Sequence, residues 1–280
     1  EGYILLNLSD IEKHLREYLK ESRLISKEME QGGEYRSVYL APDASASILV
    51  NEEDHIRIQT LSSGLDLPRC LEKLMEINDE LGKNLTFAES NRLGYLTACP
   101  TNVGTGFRGS VMLHLPALNL LEKIDRNLNI IAHDGLTVRG FYGENSTSSG
   151  DYYQISNEIT LGKSIDEILN ILMNVLEGII DGEKEARIEL NRDYSETTRD
   201  QIWRSYALLS HARQMDADEA MSLLSKIRLG IDNNYFENLS HNRLNRLSME
   251  VQNAHVEALR RKEKTTESKN QFRAGYLRSI

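Results

Sequence analysis

The chain has 280 residues, of which 40% are hydrophobic and 27% charged, with a formal net charge of -10. This composition predicts a globular protein of one large or two smaller domains and excludes the disordered and fibrous classes; no run approaches the roughly 20 apolar residues that span a bilayer. The acidic balance argues against a nucleic-acid partner, which would need clustered Lys and Arg, and only two cysteines, Cys70 and Cys99, favour a reducing cytoplasm over a disulfide framework.

In chain order, Glu1 to Leu8 reads as a strand, and Ser9 with Glu12 as a capping box for a helix to about Lys20. Tyr35 to Leu40 and Ser47 to Asn51 read as strands across the turn-prone Pro42-Asp43. His55 to Thr60 alternates Ile56 and Ile58 with Arg57 and Gln59, the period of a half-buried strand. Pro68 opens a helix through Leu81. Strands are expected at Leu93 to Ala98, Gly109 to Leu115, Leu136 to Phe141 and Tyr152 to Ser156, with a helix over Leu118 to Ile130. Ser164 and Glu167 cap a long helix whose Ile165, Ile168, Leu169, Leu172, Val175, Leu176 and Ile179 form one apolar stripe. After Glu189 strand signals cease and the chain is helical from Asp200 on, with a breaker at Gly230. The expected fold is therefore α+β: an antiparallel sheet flanked by helices over residues 1–190, then an all-helical domain over residues 191–280.

Two segments could carry chemistry. Asn51-Glu52-Glu53-Asp54-His55 places three acids in a row between two strands. Such a run repels itself and suits a solvated turn; next to buried strands it also suits a bound cation. Cys99-Pro100-Thr101-Asn102-Val103-Gly104-Thr105-Gly106-Phe107-Arg108 follows a strand directly. It reads either as a plain turn or as a loop that aims successive backbone N–H groups at an anion, with Arg108 adding a fork of donors. The Gly-Lys-Ser/Thr ending of a Walker loop is absent.

Taken with Arg139-Gly140-Phe141-Tyr142-Gly143-Glu144, the order and spacing of these strings resemble the ATP:guanidino phosphotransferases. Within that family the chain is most similar to the bacterial McsB-type branch that phosphorylates arginine in proteins. Arg204 to Ser210 and Ile227 to Asp232 resemble that branch's helical C-terminal domain. The resemblance implies transfer of the γ-phosphoryl of ATP, with Mg²⁺, to arginine side chains of proteins, which marks them for Clp-type proteolysis. It implies an activator protein and a Clp ATPase as partners, a cytoplasmic homo-oligomer (a dimer), and no membrane or nucleic-acid partner. It casts Glu53 as acid/base beside Glu52, Glu144 as a second carboxylate and Cys99 as a thiolate next to the guanidinium. Arg57, Arg108 and Arg139 would bind phosphate, and Gly109, Ser110, Val111 and Met112 with Gly140, Phe141, Tyr142, Gly143 and Glu144 would contact the nucleotide.

The sequence departs from the family in three places. The family's N-terminal Ser-Ser-Arg-x-Arg string has no counterpart, so the N-terminal part of the catalytic domain is expected to be missing from this chain. Arg23 stands where the family has a nucleotide-contacting His. Asn253 to Ala258 replaces the Arg-Asp-x-x-Arg-Ala motif for phosphoarginine. Two alternatives therefore stand beside the kinase: a degenerate relative that binds arginine or phosphoarginine as an adaptor, and a kinase for a small guanidino metabolite.

Overall fold

A computed structural model describes residues 2–129, 135–140 and 149–279. The chain forms two compact units, Glu1–Gly109 with Ile159–Leu169, and Ser110–Glu158 with Asn170–Ile280. The α+β architecture expected from the sequence is present: antiparallel sheet with helices, then helices alone.

The first unit is built on a meander of four antiparallel strands, β1 (Ile4–Asn7), β2 (Ser37–Leu40), β3 (Ala46–Val50) and β4 (Ile56–Thr60). Alternation sets which face is buried. Val38 and Leu40 point inward while Tyr39 between them is exposed, and Val38 pairs with Leu49 in register. Leu8, Leu24, Ile25 and Met29 close over that face, bringing in helices α1 (Lys13–Glu21) and α2 (Lys27–Glu30). The capping box expected at Ser9 and Glu12 is not formed. The Ser9 hydroxyl bonds to Asp10 at 2.9 Å, and Glu12 itself occupies the cap position of α1. After β4 comes α3 (Leu67–Gly82), with Pro68 in its first turn as anticipated. The strand expected over residues 93–98 shrinks to β6 (Gly94–Tyr95), paired with β5 (Glu89–Ser90).

The second unit holds a three-stranded antiparallel sheet in which β9 (Tyr152–Asn157) lies between β7 (Ser110–His114) and β8 (Leu136–Gly140). The helix expected over 118–130 is two, α4 (Pro116–Leu120) and α5 (Ile124–Asn129). Glu122 takes a left-handed conformation, and Lys123 N–H returns to the Leu118 carbonyl at 2.8 Å, so α4 ends in a Schellman turn. The long helix α6 (Ile165–Asp193) starts as predicted: Ser164 Oγ accepts from Glu167 N–H and the Glu167 carboxylate accepts from Ser164 N–H. Helices α7 (Ser195–His211), α8 (Ala217–Asp232), α9 (His241–Glu250), α10 (Asn253–Glu263) and α11 (Lys269–Leu277) complete the unit.

Gly230 does not break the helix as the sequence suggested. It lies inside α8, where a Cβ would come within 2.5 Å of the Phe236 ring and 2.7 Å of Ile202. Its missing side chain is what lets Phe236 and α7 close on α8, a gain in packing that outweighs the helix cost of about 1 kcal/mol. Arg273 of α11 is fully buried. It donates to the carbonyls of Val251 and Met215 and to the side-chain oxygens of Asn253 and Asn270. Asn253 and the buried Ala254, His255 and Val256 of the altered C-terminal string thus belong to the packing of this helical array.

Candidate active site

The three-acid run forms the turn between β3 and β4. Asn51 adopts a left-handed conformation, and its N–H donates to the His55 carbonyl at 3.0 Å. Arg36 clamps the turn from below: Nε donates to Asn51 O at 3.1 Å, and Nη1 reaches the carbonyls of Glu28 and Gly32. The Asn51 amide returns a hydrogen bond to Tyr35 O at 2.8 Å.

Within this turn the acids are sorted into different environments. The Glu52 side chain is only 4% exposed; it meets Arg57 Nη1 at 2.9 Å and accepts the Glu53 N–H at 2.9 Å. Burial works against its charge, but the Ser26 hydroxyl, the Arg57 guanidinium and the Glu53 N–H outweigh it and hold the carboxyl below the usual Glu range. Glu53 is exposed. Asp54 turns the other way, and its Oδ1 accepts the Ala98 N–H at 2.6 Å, 44 residues along the chain. This bond brings the acidic turn to the residue that precedes Cys99.

Cys99 is half-buried, with Sγ 3.0 Å from Thr101 Oγ1, while Thr97 Oγ1 donates to its carbonyl at 2.7 Å. The glycine loop that follows turns most of its amides inward. The N–H groups of Asn102, Val103, Gly104, Thr105 and Phe107 are all taken within the unit, by Cys99 O, Pro100 O, Tyr95 O, Thr160 O and Thr105 Oγ1 respectively. These five amides are therefore not free to cradle an anion. Gly104 is required for close approach: its φ is +115°, and a Cβ there would overlap the Thr160 carbonyl oxygen and lie 2.9 Å from Leu161 Cα. The Thr160 hydroxyl in turn lies 2.7 Å from the Thr101 carbonyl and 2.8 Å from the Val103 carbonyl, and its single proton is shared between them.

Residues 2–186 match the family described as "ATP:guanido phosphotransferase, C-terminal catalytic domain", and residues 195–280 match "Protein-arginine kinase McsB C-terminal domain". The chain belongs to the ATP:guanido phosphotransferases, in their protein-arginine kinase branch. It is 42% identical to the protein-arginine kinase of Halothermothrix orenii over 98% of this chain and 78% of the relative. It is 44% identical to that of Geobacillus stearothermophilus over 89% of this chain and 68% of the relative. Among solved structures it is similar to the duplicated taurocyamine kinase of Schistosoma mansoni (TM-score 0.58, 29% identity), over 65% of this chain and 27% of that one. It is also similar to lombricine kinase (TM-score 0.57, 27% identity), over 65% of this chain and 54% of that one.

Against this guanidino-kinase background, the expected residues fall into three groups. Arg23, Glu52, Glu53, Arg57, Cys99, Arg108 and Gly109 lie in the first unit. Arg23 sits half-buried in a left-handed turn after α1, where burial lowers its guanidinium pKa, and its carbonyl accepts from Gln59 at 3.1 Å. Arg108 is exposed at the end of the loop. Ser110, Val111 and Met112 on β7, and Arg139 and Gly140 on β8, lie in the second unit; Arg139 faces Gln154 and Met112 faces it from the other side in the sheet register. Phe141, Tyr142, Gly143 and Glu144 lie outside the described residues.

The fit to a nucleotide rests on donor chemistry. Arg57 keeps 47% of its side chain exposed although Glu52 holds one of its nitrogens, and a guanidinium has five N–H donors, so a phosphate oxygen can share it. Magnesium bound with ATP is held mainly by phosphates and water with one or two carboxylates, so it asks for no dedicated cage of protein ligands. Sequence reasoning missed Arg36, Asp54 and Thr160. Each is a polar residue whose partners lie on other elements, and local pattern carries no sign of that. Of the three only Asp54 stood inside a motif that the sequence singles out.

Proposed function

We propose that the chain is the catalytic and helical part of a protein-arginine kinase, moving the γ-phosphoryl of ATP to arginine side chains of proteins. The observation that carries this reading is the Asp54 to Ala98 hydrogen bond, which joins the acidic turn bearing Glu53 to the Cys99 loop within one unit. In this reading a domain boundary near Asn191 divides a catalytic part (1–190) from a helical part (191–280), which the matched ranges 2–186 and 195–280 support.

A guanidinium is protonated at all ordinary pH and is a poor nucleophile. In this reading Glu53, exposed beside a Glu52 already neutralised by Arg57, orients the acceptor and takes its proton as the guanidino nitrogen attacks. The N–P bond forms, the bond from the γ-phosphorus to the ADP oxygen breaks, and the proton passes to the Glu53 carboxylate. Cys99, as thiolate, lies alongside the guanidinium, and Glu144 is the second carboxylate. Arg57, Arg108 and Arg139 stabilise the charge that spreads over the transferred oxygens, and Mg²⁺, when bound with ATP, would supply further neutralisation of phosphate charge. A cytoplasmic site of action, a dimer, an activator protein and delivery of the marked proteins to a Clp ATPase belong to the same reading. Among the described residues no helix is long and apolar enough to cross a membrane.

The test is chemical. The protein, with any upstream segment of its gene restored, is incubated with γ-labelled ATP and an unfolded basic protein. The label should enter arginine, be lost in acid and survive alkali, as a phosphoramidate does and phosphoserine does not. Free arginine should be a poor acceptor, because it lacks the remote contacts that position the head for attack. Preferential labelling of free arginine would give the metabolite kinase instead. Binding of arginine-rich peptide with no labelling at all would give the adaptor.

A further inference from the structure

The turn over residues 149–151 docks on one face of α8, a helix of the McsB-type helical part. The Ser149 hydroxyl donates to Asp218 at 3.1 Å, and Gly150, at φ +63°, leaves room for the Met221 carbonyl, which a Cβ would approach to 2.7 Å. One helical turn further, the Ser225 hydroxyl donates to the buried Asp151, which also receives Asn119 and lies 3.4 Å from Lys226 Nζ. Residues 218, 221 and 225 follow the i, i+3, i+7 spacing of a single helix face. On its other side Ser225 Oγ meets His114 Nε2 at 2.8 Å, at the end of β7, with the Tyr152 ring against the imidazole.

A hydroxyl has one proton. Asp151, ionised, can only accept, so the Ser225 proton goes to Asp151 and the Ser225 oxygen accepts from His114 Nε2–H. This fixes the neutral Nε2–H tautomer and leaves His114 Nδ1 as an acceptor, buried and without a partner among the described residues. A proton placed on Nδ1 would find no acceptor there. It would also face Lys226 and Arg228 of α8, Arg187 of α6 and His241 of α9, with Glu183 and Asp232 already paired to Arg187 and Asp232 to His241.

We propose that Ser225, through His114 and Asp151, is a positioning residue that latches the helical part to strand β7, and that acid releases the latch. Burial and the surrounding cations push the His114 pKa well below the ordinary value, so folded His114 stays neutral. When the latch opens the ring regains a pKa near 6.5, so opening takes up a proton and is favoured as pH falls below about 6.5. Between about pH 7.5 and about pH 5.5 the opening equilibrium should rise about tenfold. Because β7 carries Ser110, Val111 and Met112, release should also weaken nucleotide binding; that consequence alone rests on the nucleotide role proposed above.

The experiment measures hydrogen-exchange protection of the β7 amides in the whole chain, corrected for intrinsic rates, at those two pH values. Unsubstituted protein should lose protection about tenfold at the lower pH, His114→Gln should lose little, and Ser225→Ala should be less protected at both. The ring ¹⁵N shifts of His114, read without any substitution, should show a neutral Nε2–H tautomer at both pH values in folded protein. Equal pH dependence in unsubstituted protein and His114→Gln, or a ring that titrates near 6.5 while β7 stays protected, overturns the latch. Mg-ADP affinity is measured alongside and should fall with protection. ADP binding that does not follow the latch, or no ADP binding at any pH, would remove the nucleotide role of β7 and leave the exchange result to decide the latch itself.

Discussion

Replacing Asp54 by alanine should separate the positioning of the Cys99 loop from the chemistry assigned to Glu53. The substitution removes one charge-assisted hydrogen bond, from Ala98 N–H to Asp54 Oδ1 at 2.6 Å, and leaves that N–H to find water. Bonds to charged acceptors contribute about 1.5–3 kcal/mol, and because Asp54 is only half-buried the lower end applies, so about 1.5 kcal/mol of stability should be lost. The consequence for turnover is larger than that energy suggests, because the bond holds two elements 44 residues apart in register. A displacement of about 1 Å between reacting groups can cost about a hundredfold, so kcat should fall by about ten- to a hundredfold with ADP affinity unchanged. The Asp54→Asn variant keeps an acceptor oxygen at the same position and should recover most of the loss. The assay pairs urea unfolding with steady-state phosphorylation of an arginine-containing protein for the two variants. If Asp54→Ala matches the unsubstituted protein in both, or if Asp54→Asn is as impaired as Asp54→Ala, the bond does not position the loop.

Glu53→Gln should lower turnover by about two to four orders of magnitude, the scale of a lost acid/base group, while circular dichroism and ADP affinity stay unchanged. Gly104→Ala combines strain at φ +115° with overlap against the Thr160 backbone, each of about 1–3 kcal/mol. It should therefore unfold at clearly lower urea, and an unchanged midpoint would show that the loop is not packed as described. Arg108→Ala should weaken Mg-ADP binding by about tenfold or more in calorimetry, as for a lost charge-assisted phosphate contact. Arg204→Ala, which removes only a solvent-exposed pair with Asp200, should leave binding unchanged, and equal affinities in the two variants would make Arg108 structural.

The sequence by itself determined the elements whose signals are local. Period-2 alternation marked β4, and Ser164 with Glu167 marked the start of α6, because both are set by contacts within a few residues. The motif strings around Glu53 and Cys99, together with the helical tail, determined the family, since long matching runs do not depend on knowing the fold. Tertiary structure decided what each residue in those strings touches. Glu52 and Glu53 are neighbours of the same type, and only the packing of α2 and β4 around the turn buries one against Arg57 and Ser26 and leaves the other exposed. In sequence Gly104 looks like part of an anion loop and Gly230 like a helix breaker. Each is glycine because another segment, Thr160 in one case and Phe236 in the other, fills the space of a Cβ. The partner of a backbone amide, and the room left for a side chain, are fixed by residues far away in the chain, and no local pattern can encode them.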